Sequence, residues 1–261
     1  MQYRRLQRPV MQLAMTGVVA LSLVTLSLAT PSGASNSNYS GSGYDASYYQ
    51  CSATAAPLGF AIIGVSHGRP FTSNSCATAQ WKVAAGQSRS LYFNTGYALA
   101  YAKSETRSCK QQAGSISFAG TAHEISAQQT AWAIGCSEAD VAVASGPGTP
   151  VAWWADVETG NSWSTDATLN QATITGLVTE MRSLIPSSMP VGVYSTPSMW
   201  NQIVGTSYVN ANIAADWQAG ASTCPTVGFT LTGSQVNAPV WLIQSGATTA
   251  GGATFDADSA C

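Results

Sequence analysis

The sequence predicts an α/β protein, a (β/α)8 TIM-like barrel that is irregular in its last strands. Short apolar runs alternate with helix-like stretches, and eight such runs follow one another after residue 41. Strands separated by helices pair in parallel through right-handed crossovers, and eight of them in about 220 residues suit a barrel. A doubly wound open sheet is the alternative. It is less favoured because no glycine-rich dinucleotide loop follows the first strand.

The candidate strands are short apolar or alternating runs bounded by turn-forming residues. They are Ser42–Ala46, Phe60–Val65, Ser90–Asn94, Val151–Val157, Val191–Ser195, Ala211–Asp216, Val240–Gln244 and Thr254–Ala257. Only weak helical patterns separate the last of them, and Thr223–Asn237 has the composition of a loop or a hairpin. We therefore expect the barrel to be irregular in this part.

Helical periodicity marks the segments between the strands. The candidate helices are Cys76–Ala84, His123–Ala144, Asp166–Leu184 and Pro197–Val204. We expect a break near Gly135 in the second of them. Thr165 or Asp166 can cap the third, which Pro186 ends, and Pro197 is a favourable first-turn residue for the fourth.

Residues 1–34 have the pattern of a secretory signal peptide. Arginines precede the apolar run Met11–Leu28, and small residues follow through Ala34. An uncleaved membrane anchor is the alternative, but the small residues favour cleavage. We expect residues 35–42 to form a short linker and residues 43–261 a secreted, extracellular domain. No second apolar span has membrane length, so the mature protein is not expected to be embedded in a membrane.

The cysteines and the charge narrow the classes of function. Six cysteines in an exported chain indicate three disulfides, which 15 pairings could satisfy. Nearest-neighbour pairing, Cys51–Cys76, Cys109–Cys136 and Cys224–Cys261, is our hypothesis. A metal site is not expected, since no Cys-x-x-Cys occurs and the chain has only 2 histidines. The net charge is −2 without a basic run, which disfavours a nucleic-acid partner.

Two carboxylates follow the fourth candidate strand at positions 156 and 158. Alternate residues of a strand share a face, so Asp156 and Glu158 should point the same way. Mutual repulsion and loss of water raise the pKa of at least one of them. A partly protonated Glu beside an ionised Asp can break a glycosidic bond. The competing interpretation is a strand that simply becomes polar where it enters solvent.

Other polar and aromatic side chains gather at the predicted carboxyl ends of strands, where barrel enzymes hold their sites. Half of the chain's 12 acidic residues lie there, namely Asp45, Asp156, Glu158, Asp216, Asp256 and Asp258. Sugar rings stack on aromatic faces while their hydroxyls need polar partners. We therefore predict a groove that contains Tyr92, Asn94, Trp154, Tyr194, Trp217 and Gln244.

Four motifs occur in an order that resembles glycoside hydrolase family 25, the secreted lysozyme-like muramidases with a barrel of β/α units. They are Gly43-Tyr44-Asp45-Ala46-Ser47, Trp154-Ala155-Asp156-Val157-Glu158, Gly192-Val193-Tyr194-Ser195 and Phe255-Asp256-Ala257-Asp258. The resemblance implies cleavage of the bond after N-acetylmuramic acid in peptidoglycan, with Glu158 as general acid. Asp156 would be the nucleophile or would orient the substrate's 2-acetamido oxygen. Asp45 and Asp256 would shape the charge of the site, and Tyr194 would hold the sugar.

The chain departs from this family at the predicted mouth. Tyr92-Phe93-Asn94 replaces the usual Tyr-His-Phe type motif, and Ser66-His67-Gly68 replaces an acidic or lysine-bearing turn. A non-catalytic glycan-binding or surface protein on the same barrel is therefore the second hypothesis. A Ser–His–Asp hydrolase is a minor alternative, because no Gly-x-Ser-x-Gly occurs. Neither glycan hypothesis needs a cofactor, since two carboxylates suffice for glycosidic hydrolysis. The sequence does not indicate the oligomeric state.

Overall fold

The computed structural model describes residues 37–233 and 235–261, in which eight strands close into a barrel in chain order. The predicted signal peptide lies outside the described residues. The barrel class is confirmed. The strands are β1 (Ser42–Ala46), β2 (Phe60–Gly64), β3 (Arg89–Asn94), β4 (Trp153–Asp156), β5 (Val191–Ser195), β6 (Asp216–Ala219), β7 (Val240–Ala250) and β8 (Ala253–Ala260).

The last strand runs against all the others. Strands β1 to β7 pair in parallel, whereas β8 is antiparallel to both β7 and β1. Parallel pairing through crossovers is therefore wrong for β8, and the irregularity expected there is confirmed. The cause is the two-residue connection Gly251-Gly252, where both glycines have positive φ and reverse the chain at once. The amino-terminal half of β8 consequently lies at the mouth of the barrel.

In the part of the chain that the structure describes, five α-helices surround the strands: α1 (Ala77–Val83), α2 (Arg107–Ala113), α3 (Ala122–Ser145), α4 (Ala167–Leu184) and α5 (Pro197–Val204). Helix α2 was not among the predicted helices. The predicted break in α3 is wrong, because Gly135 serves helix packing. A Cβ on Gly135 would lie 1.8 Å from the Thr173 carbonyl oxygen, and one on Gly176 would lie 2.1 Å from that of Trp132. The two glycines let the backbones of α3 and α4 approach each other closely.

The sixth strand begins later than the sequence pattern indicates. We expected Ala211–Asp216, but β6 begins at Asp216. Ile213 and Ala215 are buried in the segment that leads into the strand, which explains the apolar pattern. The three disulfides have the nearest-neighbour pairing of our hypothesis, Cys51–Cys76, Cys109–Cys136 and Cys224–Cys261.

The barrel interior is apolar at its base. Trp154, Ile62 and Leu242 are fully buried there, with Phe60 nearly so. Tyr39, from the segment interpreted as a linker, packs among them and accepts a hydrogen bond of 2.9 Å from Trp154 Nε1. Within the described ranges, the helices are too short or too polar to cross a membrane.

Candidate active site

The carboxyl ends of the parallel strands surround an open cavity of about 370 Å³. Asp45, Asp156, Glu158 and Asp256 line it and bring their carboxyl groups to one place. The cavity also contains the predicted groove residues Tyr92, Asn94, Tyr194, Trp217 and Gln244. The structure thus brings together nine of the ten site residues that the sequence predicts, the exception being Trp154.

Asp156, the last residue of β4, is held from both sides. Asn94 Nδ2 donates to Asp156 Oδ2, and Asn161 Nδ2 donates to its Oδ1 at 3.4 Å and to its carbonyl oxygen at 3.1 Å. Ser66 Oγ fixes Asn94 by donating to its Oδ1 at 2.7 Å. Burial, followed by the charge of Glu158, raises the pKa of Asp156 well above its usual range, and the Asn161 hydrogen bond opposes this.

Glu158 lies two residues further along and is held only through its backbone. Its carbonyl oxygen accepts hydrogen bonds from Trp163 Nε1 at 2.8 Å and from the backbone N–H of Asn161 at 3.0 Å. No described residue donates a hydrogen bond to its carboxyl group, which is half-buried and faces the cavity. Burial and the charge of Asp256 raise its pKa, so the group tends to keep a proton that it can donate.

A chain of hydrogen bonds links β5, β7 and β1. Tyr194 Oη donates to Gln244 Oε1 at 2.8 Å, and Gln244 Nε2 donates to Asp45 Oδ2 at 2.7 Å. Burial, together with repulsion by Asp256 directly opposite on β8, raises the pKa of Asp45 to about 7. The amide of Gln244 is thus occupied at both ends, and it holds Asp45 and Tyr194 in place.

Aromatic rings form the floor of the cavity. The ring of Trp217 lies 4.4 Å from that of Tyr194 and meets Tyr92 edge-on at 6.2 Å, between centroids. Trp217 Nε1 donates to Asp258 Oδ1 at 2.8 Å, which fixes the indole. A Cβ on Gly64 would lie 2.6 Å from the Tyr92 ring, so this glycine makes room for the floor.

Three expected members of the mouth lie outside the cavity lining, namely Trp154, Asp216 and Asp258, the last of which is buried beneath the Trp217 floor. Trp154 is fully buried at the barrel base, because it faces the interior one layer below Asp156. Its expected place in the groove is therefore wrong. Asp216 is the first residue of β6 and not its end, and it accepts hydrogen bonds from the Phe229 amide and from Thr230. It anchors a loop outside the cavity.

Several cavity residues were missed by sequence reasoning. Asn161 left no signal beyond a polar loop. Tyr49, the second missed residue, follows Tyr48 in a 3-10 turn that begins directly after Ser47. The Ser47-x-x-Gln50 spacing is that of a capping box and could have located this turn.

One group of described residues has the spacing of metal ligands but lacks their chemistry. Cys109, Cys136 and Glu180 bring a possible ligand atom each within 4.8 Å of one another. The two sulfurs form a disulfide and therefore supply no thiolate. The group lies on α2, α3 and α4, outside the cavity lining.

Comparison with known proteins identifies solved structures with the same fold. The bacterial lysozyme from Streptomyces coelicolor is 19% identical over 85% of this chain and 92% of its own, with a TM-score of 0.52. The muramidase from Acremonium alcalophilum is 17% identical over 84% of this chain and 93% of its own, also with a TM-score of 0.52. No family model and no curated protein matches the chain. At these identities the likeness shows a shared barrel fold.

Proposed function

We propose that the chain is a secreted glycosidase of the glycoside hydrolase family 25 type that cleaves peptidoglycan after N-acetylmuramic acid. The observation that carries the proposal is the pair at the end of β4. Glu158 presents a carboxyl group of raised pKa that has no hydrogen-bond partner among the described residues, beside Asp156, which two amides hold. The sequence motifs and the fold shared with a lysozyme and a muramidase support the same function.

Glu158 acts as the general acid in this proposal. It donates its proton to the glycosidic oxygen while the bond from that oxygen to C1 breaks, and a positive charge develops on the sugar. Glu158, now ionised, then accepts a proton from the water that attacks C1. The raised pKa of Glu158 favours the protonated carboxyl group that the first step requires.

The surroundings of Asp156 favour a positioning role over direct nucleophilic attack. Both of its oxygens are occupied by Asn94 and Asn161, and the carboxyl is buried. In its ionised form, a carboxyl group held in this way accepts a hydrogen bond from the N–H of the 2-acetamido group and turns the acetamido oxygen toward C1. That oxygen forms the bond to C1 as the leaving group departs, and water later breaks it.

The test is release of reducing ends from purified peptidoglycan by the parent chain and by Glu158→Gln. We expect turnover to fall by about 10²- to 10⁴-fold, because the variant has no proton to donate. Glu124→Gln is the matched control, since Glu124 is exposed and Gln preserves its helix-capping box. Activity that survives in Glu158→Gln would exclude Glu158 as the acid. A parent chain without activity would exclude the glycosidase.

The second candidate is a glycan-binding barrel without turnover. It is favoured by Asn94, which takes the place of an aromatic residue in the family motif and hydrogen-bonds Asp156 directly. This candidate predicts no reducing-end release by the parent chain and equal glycan affinity in the parent and in Glu158→Gln. Measurable hydrolysis by the parent would reject it.

A further inference from the structure

Three aromatic rings lie against one another at the rim of the cavity, with His67 stacked on Tyr48 and Tyr49 tilted against it. The ring centroid of Tyr48 lies 4.1 Å from that of Tyr49 and 3.8 Å from that of His67. Two rings cannot share one face of Tyr48 at these separations, so Tyr48 is sandwiched between them. Tyr49 is 75% exposed, and both tyrosines line the cavity that contains Glu158. We call Tyr48, Tyr49 and His67 the aromatic ledge.

The turn that carries the two tyrosines is fixed at several points. Ser47 and Gln50 form a reciprocal capping box around it. Gln50 Nε2 donates to the Thr254 carbonyl oxygen at 2.8 Å, and Gln80 Nε2 donates to that of Ser47 at 2.7 Å. The disulfide of Cys51 follows at once. Because this backbone is already ordered, a ligand that binds here loses little free energy to ordering it.

The opposite side of the ledge is shaped by the turn after β2. Gly68 has a φ of +70°, and a Cβ there would lie 3.1 Å from the Tyr48 ring. The His67 amide donates to Thr72 Oγ1 at 2.9 Å, which holds this turn. A glycine at position 68 thus lets two separate turns bring their rings into contact.

The ledge does not contribute to the buried core. Tyr48 and Tyr49 belong to none of the buried clusters, and the open face of the stack is that of Tyr49. Leu58, another exposed apolar side chain at 90%, lies outside the cavity lining. A rigid aromatic face beside catalytic carboxyls suits the C–H face of a sugar ring.

We propose that the aromatic ledge is a sugar-binding subsite beyond the two sugars that flank the cleaved bond. The Tyr49 ring stacks on a further pyranose of the same glycan chain, so the ledge sets the chain length that binds well. The choice of a glycan as ligand rests on the proposed function. The ledge itself stands on the stacking, the exposure and the fixed turn.

The test measures binding in a chain that cannot turn over. Peptide-free peptidoglycan oligosaccharides of two and of six sugars are titrated calorimetrically into Glu158→Gln, with and without Tyr49→Ala. We expect Tyr49→Ala to weaken binding of the hexasaccharide by about 3- to 10-fold, the worth of one aromatic stacking contact. Affinity for the disaccharide should not change. Tyr49→Phe, which keeps the ring, and Leu58→Ala should bind both ligands as the reference does.

The outcomes separate the ledge from the proposed reaction. An unchanged hexasaccharide affinity in Tyr49→Ala, an equal loss for both lengths, or no hexasaccharide binding at all would overturn the subsite. A length-dependent loss would support it even if the parent chain released no reducing ends, a result that excludes only the glycosidase. If the parent hydrolyses peptidoglycan but Tyr49→Ala leaves the affinity for the hexasaccharide unchanged, only the subsite is excluded.

Discussion

The base and the mouth of the barrel use the same strands for opposite purposes. Trp154 and Asp156 lie two residues apart on strand β4, and both side chains face the interior of the barrel. Both are almost completely buried. At the base, burial of an indole stabilises the fold. At the mouth, burial raises the pKa of each carboxyl group, and the ionised forms destabilise the folded state. The position of a side chain along the strand therefore decides whether its burial stabilises the fold or raises the pKa of a carboxyl group in the site.

Asp258 marks the boundary between the two regions. Its Oδ1 accepts the hydrogen bond from Trp217 Nε1, which ties it to the floor of the cavity. Its Oδ2 is buried and has no partner among the described residues. Burial, followed by the charge of Asp45, raises the pKa of Asp258 well above its usual range. The transition from apolar to acidic interior thus takes place within a single layer of side chains.

The largest effect on stability is expected at the base. Trp154→Ala should lower the free energy of unfolding by about 3–5 kcal/mol, because it empties a packed site and removes the hydrogen bond to Tyr39. Urea denaturation followed by circular dichroism measures this loss. Leu58→Ala is the control, since Leu58 is 90% exposed. A change below about 1 kcal/mol in Trp154→Ala would contradict the division between base and mouth.

A smaller effect of opposite sign is expected at the mouth. The pKa of Asp45 rises from 3.8 to about 7 in the folded state, so its stabilising effect is complete below pH 3.8 and is lost as pH rises through about 7. Asp45→Asn removes the charge and keeps an oxygen for Gln244. We expect it to raise stability at pH 8 by about 0.5–2 kcal/mol.

Thermal melts of the parent and Asp45→Asn at pH 4 and pH 8 test this expectation. The difference in Tm should be larger at pH 8, where Asp45 is ionised in the parent. An equal shift at both pH values would mean that the substitution acts through packing alone. A lower Tm of Asp45→Asn than of the parent at pH 8 would show that the ionised Asp45 carboxylate stabilises the mouth.

The sequence predicted which side chains face the interior better than it predicted their depth. Strand alternation places Trp154 and Asp156 on one face, but it does not say that one lies in the core and the other in the cavity. That depth follows from the stagger between neighbouring strands, a property of the closed barrel. Asp256 was found although β8 runs the opposite way, because the motif depends on residue order and not on strand direction.

The remaining errors come from contacts distant in sequence. Gly135 has the appearance of a helix breaker until Thr173 of the neighbouring helix is known to lie against it. Asn161 enters the site only because a loop folds back onto Asp156. The turn with Tyr48 and Tyr49 did carry a local signal, the Ser47-x-x-Gln50 spacing, and it was open to prediction.

The smallest expected effect is a shift in the pH profile of the mouth. Burial first, and the charge of Asp256 second, raise the pKa of Glu158. Asp256→Asn removes that charge, so Glu158 loses its proton at lower pH than in the parent. The alkaline limb of kcat/KM for peptidoglycan should therefore move to lower pH.

Asp166→Asn separates this effect from a general change in charge. Asp166 caps α4 outside the cavity lining, and Asn also caps helices well. Its profile should coincide with that of the parent chain. If Asp256→Asn moves the limb to higher pH or leaves it in place, the charge of Asp256 does not control Glu158. Glu158 would then owe its raised pKa to burial alone, and burial is also what stabilises the base.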